Sequence, residues 1–300
     1  MTHPKLLILG LVLASLPPAN AAPEKTERSL EAALVKTYSA WRDSMIEGDF
    51  EAWQEQTAAY RKAITRNNIV SQKLKFPDVL FTVPVKPASI DGMKPIQARA
   101  VGPTSQLVYY DQIDLGIEIP EGAEIPKSLL ILKFIREAKG WKFNTLSLLN
   151  LKGAADIKAQ VENKDYAFLD IGNFVPPGFV PPIPLHCPAP DYVAQIQVTS
   201  FGYDTEIIIN GVSKHHVADT ATSELIIGGL KQTPNEVTVR AKPIARRDDD
   251  NPDDDDIPQK LEITVFSVPK RKGADAIKSW HYEPRKVLPA YRGVFFAMPR

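Results

Sequence analysis

Tyr109-Tyr110-Asp111-Gln112-Ile113-Asp114 is the run of this chain best suited to proton chemistry. Read as a strand, its side chains alternate between faces, so Tyr110, Gln112 and Asp114 share one face and Tyr109, Asp111 and Ile113 the other. If the first trio faces an apolar interior, desolvation raises the Asp114 carboxyl toward a useful general base, and Tyr110 donates to a developing oxyanion. The alternative is a solvent-facing carboxylate beside a packed tyrosine.

Other chemistries lack their usual spacing. His215 and His216 are adjacent, so on a strand they point to opposite faces and cannot share a metal. No Gly-x-Ser-x-Gly elbow, phosphate-binding Gly-x-x-x-x-Gly-Lys loop or dinucleotide fingerprint occurs. The acidic run Asp248 to Asp256 offers Asp249, Asn251 and Asp253 to a cation. An EF-hand register on those residues needs Gly where Asp254 stands and Glu where Lys260 stands, so the run reads as a solvated excursion between strands, with a weak cation site as the alternative. No cofactor is expected.

Address and composition limit the rest. Lys5, the apolar run Leu6 to Leu16, and Ala19-Asn20-Ala21 read as a secretory signal cleaved between Ala21 and Ala22, making residues 1–21 a leader and the mature protein periplasmic or secreted. The apolar run is too short to cross a bilayer, so no integral membrane span is expected after cleavage. Removing Lys5 leaves 35 basic against 36 acidic residues, a net charge of 35 − 36 = −1, which argues against nucleic acid as a partner. Cys187 is the only cysteine, so no internal disulfide can form.

Apolar residues at Leu30, Leu34, Tyr38, Trp41 and Met45 predict one face of a helix. Gly48 and Asp49 end it and cap a second, whose face carries Phe50, Trp53, Thr57, Tyr60 and Ile64 before Asn67-Asn68. Short β-rich runs follow: Val79 to Val85, Ile96 to Val101, Gln106 to Leu115, then Leu129 to Arg136 and Trp141 to Leu151 joined through Gly140. Helices first and an antiparallel sheet afterwards predict an α+β domain.

Tyr38, Trp41, the Glu47-Gly48-Asp49-Phe50 junction and the hairpin Phe134 to Phe143 with its Gly140-Trp141-Lys142-Phe143 close resemble the NTF2-like (SnoaL-like, cystatin-like) superfamily over residues 27–152. The resemblance implies a curved sheet wrapped on helices as a cone with a pocket at its open end, here lined by Tyr38, Trp41, Tyr110 and Gln112. It covers both isomerase- or dehydratase-type enzymes and non-catalytic members, and it implies a homodimer through the outer sheet face.

A short helix is predicted from Ala154 to Val161, closing a domain at 27–165. Residues 166–190 then read as a linker, since Phe174 to Pro190 holds seven prolines in seventeen residues. Beyond it, Tyr192 to Ser200, Glu206 to Asn210, Ser223 to Ile227, Glu236 to Ala241 and Lys260 to Val268 are strand-like and separated by Asn210-Gly211, Gly228-Gly229 and Pro234-Asn235. They predict an all-β sandwich over 191–300 that weakly resembles Ig-like accessory modules of exported proteins, with Trp280, Tyr282 and Phe295 in the tail packed onto it. Both faces of Leu129 to Ile135 are apolar, so the outer one, Ile131 included, is expected against a second subunit or the C-terminal half.

These readings converge on an exported, non-catalytic binding protein for a small molecule or a protein partner. The alternative is an enzyme using Tyr110 and Asp114.

Overall fold

A computed structural model describes residues 21–82, 86–114, 125–244, 259–268 and 275–297. Almost all of the leader, including its apolar run, and Asp249, Asn251 and Asp253 lie outside these residues, and no described helix is long and apolar enough to cross a membrane. The chain is a mixed α+β fold.

Helix α1 spans Ala21–Glu47, and Gly48 ends it at φ +71°, a conformation that costs glycine nothing. Asp49 then caps α2 (Phe50–Gln56) by accepting the Ala52 N–H at 3.0 Å. The expected second helix is broken in two. Thr57 bridges Phe143 in parallel, and the Ala58 N–H donates to the Phe143 carbonyl at 2.8 Å, so the chain extends for two residues before α3 (Ala59–Ser71) begins. Glu137 accepts the Ala59 N–H at 2.7 Å and supplies a carboxylate to the new helix start. Helix α3 runs through Asn67-Asn68 to Ser71 because Asn67 spends its amide on a distant part of the chain. Val79 to Thr82 form turns, not a strand.

Strands β1 (Gln97–Val101), β2 (Thr104–Gln112), β3 (Lys127–Glu137) and β4 (Gly140–Asn150) form an antiparallel meander in that order. Leu34 and Tyr38 of α1 pack on one face with Leu107, Tyr109, Leu130, Leu132, Phe134 and Phe143. The opposite face, Val108, Leu129 and Ile131, is covered by Leu151, by Val161 of α4 (Ala155–Glu162), and by Phe168 and Leu169 of a 3-10 turn. The apolar outer face expected against a second subunit or the C-terminal half is therefore buried by the segment that directly follows the sheet. Ile131 is only 5 % exposed, so that face is not available for a homodimer.

The C-terminal half is one hydrogen-bonded sheet, not two separate ones. Strand β5 (Val193–Ile209) pairs with β6 (Ser213–Leu225) along one edge. Its other edge pairs first with β8 (Lys260–Val268) and then with β7 (Asn235–Pro243). Strands β9 (Ile277–Tyr282) and β10 (Ala290–Phe295) close the ends, next to β8 and β7. A bulge between Ser200 and Asp204, with Gly202 at φ +72°, interrupts the ladder. Inward positions shift there from Ala194, Ile196 and Val198 to Thr205, Ile207 and Ile209, so both halves of β5 keep their apolar side on one core with Val239, Ile263 and Val265. Trp280 and Tyr282 of β9 stack on Tyr291 of β10, joining strands at opposite ends of the sheet order. The tail packs on this core, as expected from its aromatics.

Candidate functional site

The structure separates the residues that sequence placed in one pocket. Tyr38 is fully buried and donates to the Ala88 carbonyl at 2.8 Å, and Trp41 lies against Phe143 with ring centroids 4.0 Å apart. Aromatic rings fill this side of the sheet where a cone pocket was expected. Burial raises the phenol of Tyr38 far above its ordinary value, and it raises that of Tyr109, in the same cluster, to about 12.

Tyr110 points the other way. It packs with the α4-side cluster, its hydroxyl is buried without a hydrogen-bond partner, and Lys127 Nζ sits 5.6 Å from its ring centroid. Burial first, and the nearby Glu162 carboxylate second, raise its phenol. Gln112 is exposed and donates to the Ile125 carbonyl at 3.0 Å, and Asp114 is exposed. Alternation along β2 thus keeps Tyr110 and Gln112 off the face that holds Tyr38 and Trp41, and Asp114 lies exposed, not in the apolar interior expected for it.

A different concavity lies where α3, the proline-rich segment and the C-terminal sheet meet. Tyr60, Ile64, Asn67 and Asn68 share one face of α3 by their four-, seven- and eight-residue spacing, and they form the first wall of a cleft of about 600 Å³. Pro181 to Leu185 form the second wall. Gly211, Val212, Lys214 and Ile227 form the third, presented by the tight turn in which Asn210 and Gly211 adopt φ +53° and +70°.

Hydrogen bonds fix these walls. Prolines lack an N–H, so the segment 181–190 offers mainly carbonyls for anchorage. Asn67 donates through Nδ2 to the Leu185 carbonyl at 2.8 Å and accepts the Cys187 N–H on Oδ1 at 2.9 Å, while Arg66 donates to the Cys187 carbonyl at 3.1 Å. Ser71, fully buried, donates to the Asn67 carbonyl at 2.6 Å and accepts the Gly228 N–H at 2.7 Å, linking α3 to the sheet. The expected linker is accordingly docked: Phe168 and Leu169 are core residues, and Cys187 is buried 3.6 Å from Ser71 Oγ. A helix stop at Asn67-Asn68 hides the cleft in the sequence; the signal that reveals it is the continued helical spacing from Tyr60 and Ile64 to Asn67 and Asn68.

Two polar constellations lie elsewhere. His216 pairs with Asp204 at 2.5 Å on the exposed side of β6, whereas His215 is buried, so the two histidines do take opposite faces. Ser213 Oγ lies 2.8 Å from His215 Nε2, and His215 Nδ1 lies 2.6 Å from Glu224. The order of atoms is that of a nucleophile, base and orienting carboxylate. Ser213, however, is fully buried, faces away from the cleft that Val212 and Lys214 line, and already accepts the Ile227 N–H at 2.8 Å. The trio clasps the two ends of β6. On β8 and β9, Glu262, His281 and Glu283 hold ligand atoms within 4.8 Å of one another. Lys260 Nζ is 2.7 Å from Glu262 and 3.8 Å from Glu283, so an ammonium already offsets part of their charge; its hydrogen bond holds the Glu262 carboxyl below the usual range.

Comparison with protein-family models, with curated proteins and with solved structures returns no match.

Proposed function

We propose that this chain is an exported, non-catalytic binding protein whose ligand site is the cleft between α3, the Pro181 to Leu185 strap and the β5–β6 turn. The observation that carries the reading is the cleft itself: about 600 Å³, within the range of small-molecule sites, with walls from three distant parts of the chain held by the side chains of Asn67 and Ser71. Such fixation favours binding, because the walls need no ordering when a ligand arrives. The filled aromatic face on α1 and the outward Tyr110 move the binding role away from the cone. Helices on one face of a four-stranded antiparallel meander agree with an NTF2-like N-terminal unit, and the leader-like first 21 residues support export.

Titration with the neutral dye Nile red tests the site. Wild type should give blue-shifted, saturable emission, and Ile64→Trp, which fills the cleft from a half-buried position, should lose most of it with an unchanged melting temperature. Equal dye binding by both proteins would place the apolar site elsewhere and overturn the reading.

A further inference from the structure

Among the described residues, Lys214 is the one charged side chain that lines the cleft. Strand alternation sends it to the same side as Val212 and opposite to Ser213 and His215, and its side chain is exposed at the mouth. Among the described residues it makes no ion pair: the acid nearest in register, Glu206, pairs with Arg240 at 2.7 Å, and Asp204 pairs with His216. Among the described residues no acid lines the cleft. The rest of the lining is mostly apolar, with Ile64, Ile183, Leu185, Val212 and Ile227 among the prolines; Tyr60 and Asn68 add a hydroxyl and an amide, and the amide of Asn67 is already engaged by Leu185 and Cys187.

We infer that the cleft takes an amphipathic monoanion, an unbranched apolar chain ending in a carboxylate, with the chain between α3 and the proline strap and the carboxylate at Lys214. The inference rests on the cleft being the binding site. An apolar chain there meets mostly apolar side chains, while the Asn67 amide keeps its hydrogen bonds to the strap and Asn68 keeps its exposure to solvent. A single cation at the mouth then discriminates among head groups: it favours a carboxylate, gains nothing from an alcohol and repels an ammonium. Its contribution is that of a partly solvated ion pair, about fivefold in affinity.

Decanoate, 1-decanol and decylamine, each competing with Nile red on the full chain, separate the terms. Decanoate should displace the dye at the lowest concentration and decylamine at the highest. Lys214→Met should weaken decanoate about fivefold, leave decanol unchanged and abolish the salt dependence of decanoate binding. Equal displacement by decanoate and decanol in wild type, or equal decanoate binding by wild type and Lys214→Met, overturns the anion assignment while leaving the cleft as the apolar site. Failure of all three compounds to displace a dye that Ile64→Trp does not affect overturns the cleft reading itself, and the anion assignment with it.

Discussion

Asn67 Oδ1 accepts the backbone N–H of Cys187 at 2.9 Å, across 120 residues of chain. With the same side chain donating to the Leu185 carbonyl, one amide treats the strap as a neighbouring strand would. Asn67→Ala should orphan a buried N–H and a carbonyl and cost about 1–3 kcal/mol. Denaturant unfolding measures the loss, and limited proteolysis should cut between Phe179 and Leu185 faster in the variant than in wild type. Unchanged cleavage would show that the strap is held by its apolar contacts alone.

His215 sits between the Ser213 hydroxyl and the Glu224 carboxylate. His215→Ala should leave the Ser213 hydroxyl without its ring nitrogen and the Glu224 carboxylate without its donor, destabilising the C-terminal sheet by about 1–3 kcal/mol. His216→Ala, on the exposed side of the same strand, should change stability by less than about 0.5 kcal/mol. Thermal melts of the two variants compared side by side decide whether burial or mere adjacency matters.

Ile131→Asp places a carboxylate against Leu151, Val161 and Phe168 of the same chain. The expected loss is about 3–5 kcal/mol of folding stability, because a buried unpaired charge finds no compensation. Light scattering should show no change in the mass of the protein that stays folded. A halved mass at unchanged melting temperature would instead make this face an intersubunit surface.

Tyr109 ionises in the unfolded chain at the ordinary value of 10.0 and in the folded protein at about 12, with burial as the main cause. A raised folded pKa means that the protonated phenol is favoured by the fold. Stability from this group is fully present below pH 10 and falls as pH rises toward 12. Phenolate absorbance should therefore appear for Tyr109, and for the still more protected Tyr38, only together with unfolding. Early, complete titration of all nine tyrosines in folded protein would contradict the packing around Tyr38.

Local signals in the sequence were legible wherever the chain itself resolves them. Gly48 and Asp49 end and start helices because the φ and the capping oxygen belong to those residues, and the Gly140 hairpin and Asn210-Gly211 turn follow for the same reason. The break at Thr57 depends on pairing with Phe143, and so could not be read from α2 alone. Strand β6 was seen only at its end, since the stretch from Ala218 to Thr222 alternates little and is largely solvent-facing. The site was the least legible part. Its walls are contributed by residues 60–68, 181–185 and 211–227, and nothing in any one of these segments indicates the other two. Tyr110 went wrong by one strand face, which a period-two pattern cannot assign when both faces are apolar.

Strand β5 is flanked on both edges by β6, β7 and β8, and all three follow it in the chain. Synthesis from the N-terminus therefore delivers the central strand first and its final partner last. Until Val268 has emerged, the first half of β5 has an edge with nothing to pair with. Open edges recruit other chains, and nothing covers this one until β8 arrives. The C-terminal half is thus a late-completing unit. A nascent chain halted before Lys260 should aggregate, while one halted after residue 190 but before β5 should not.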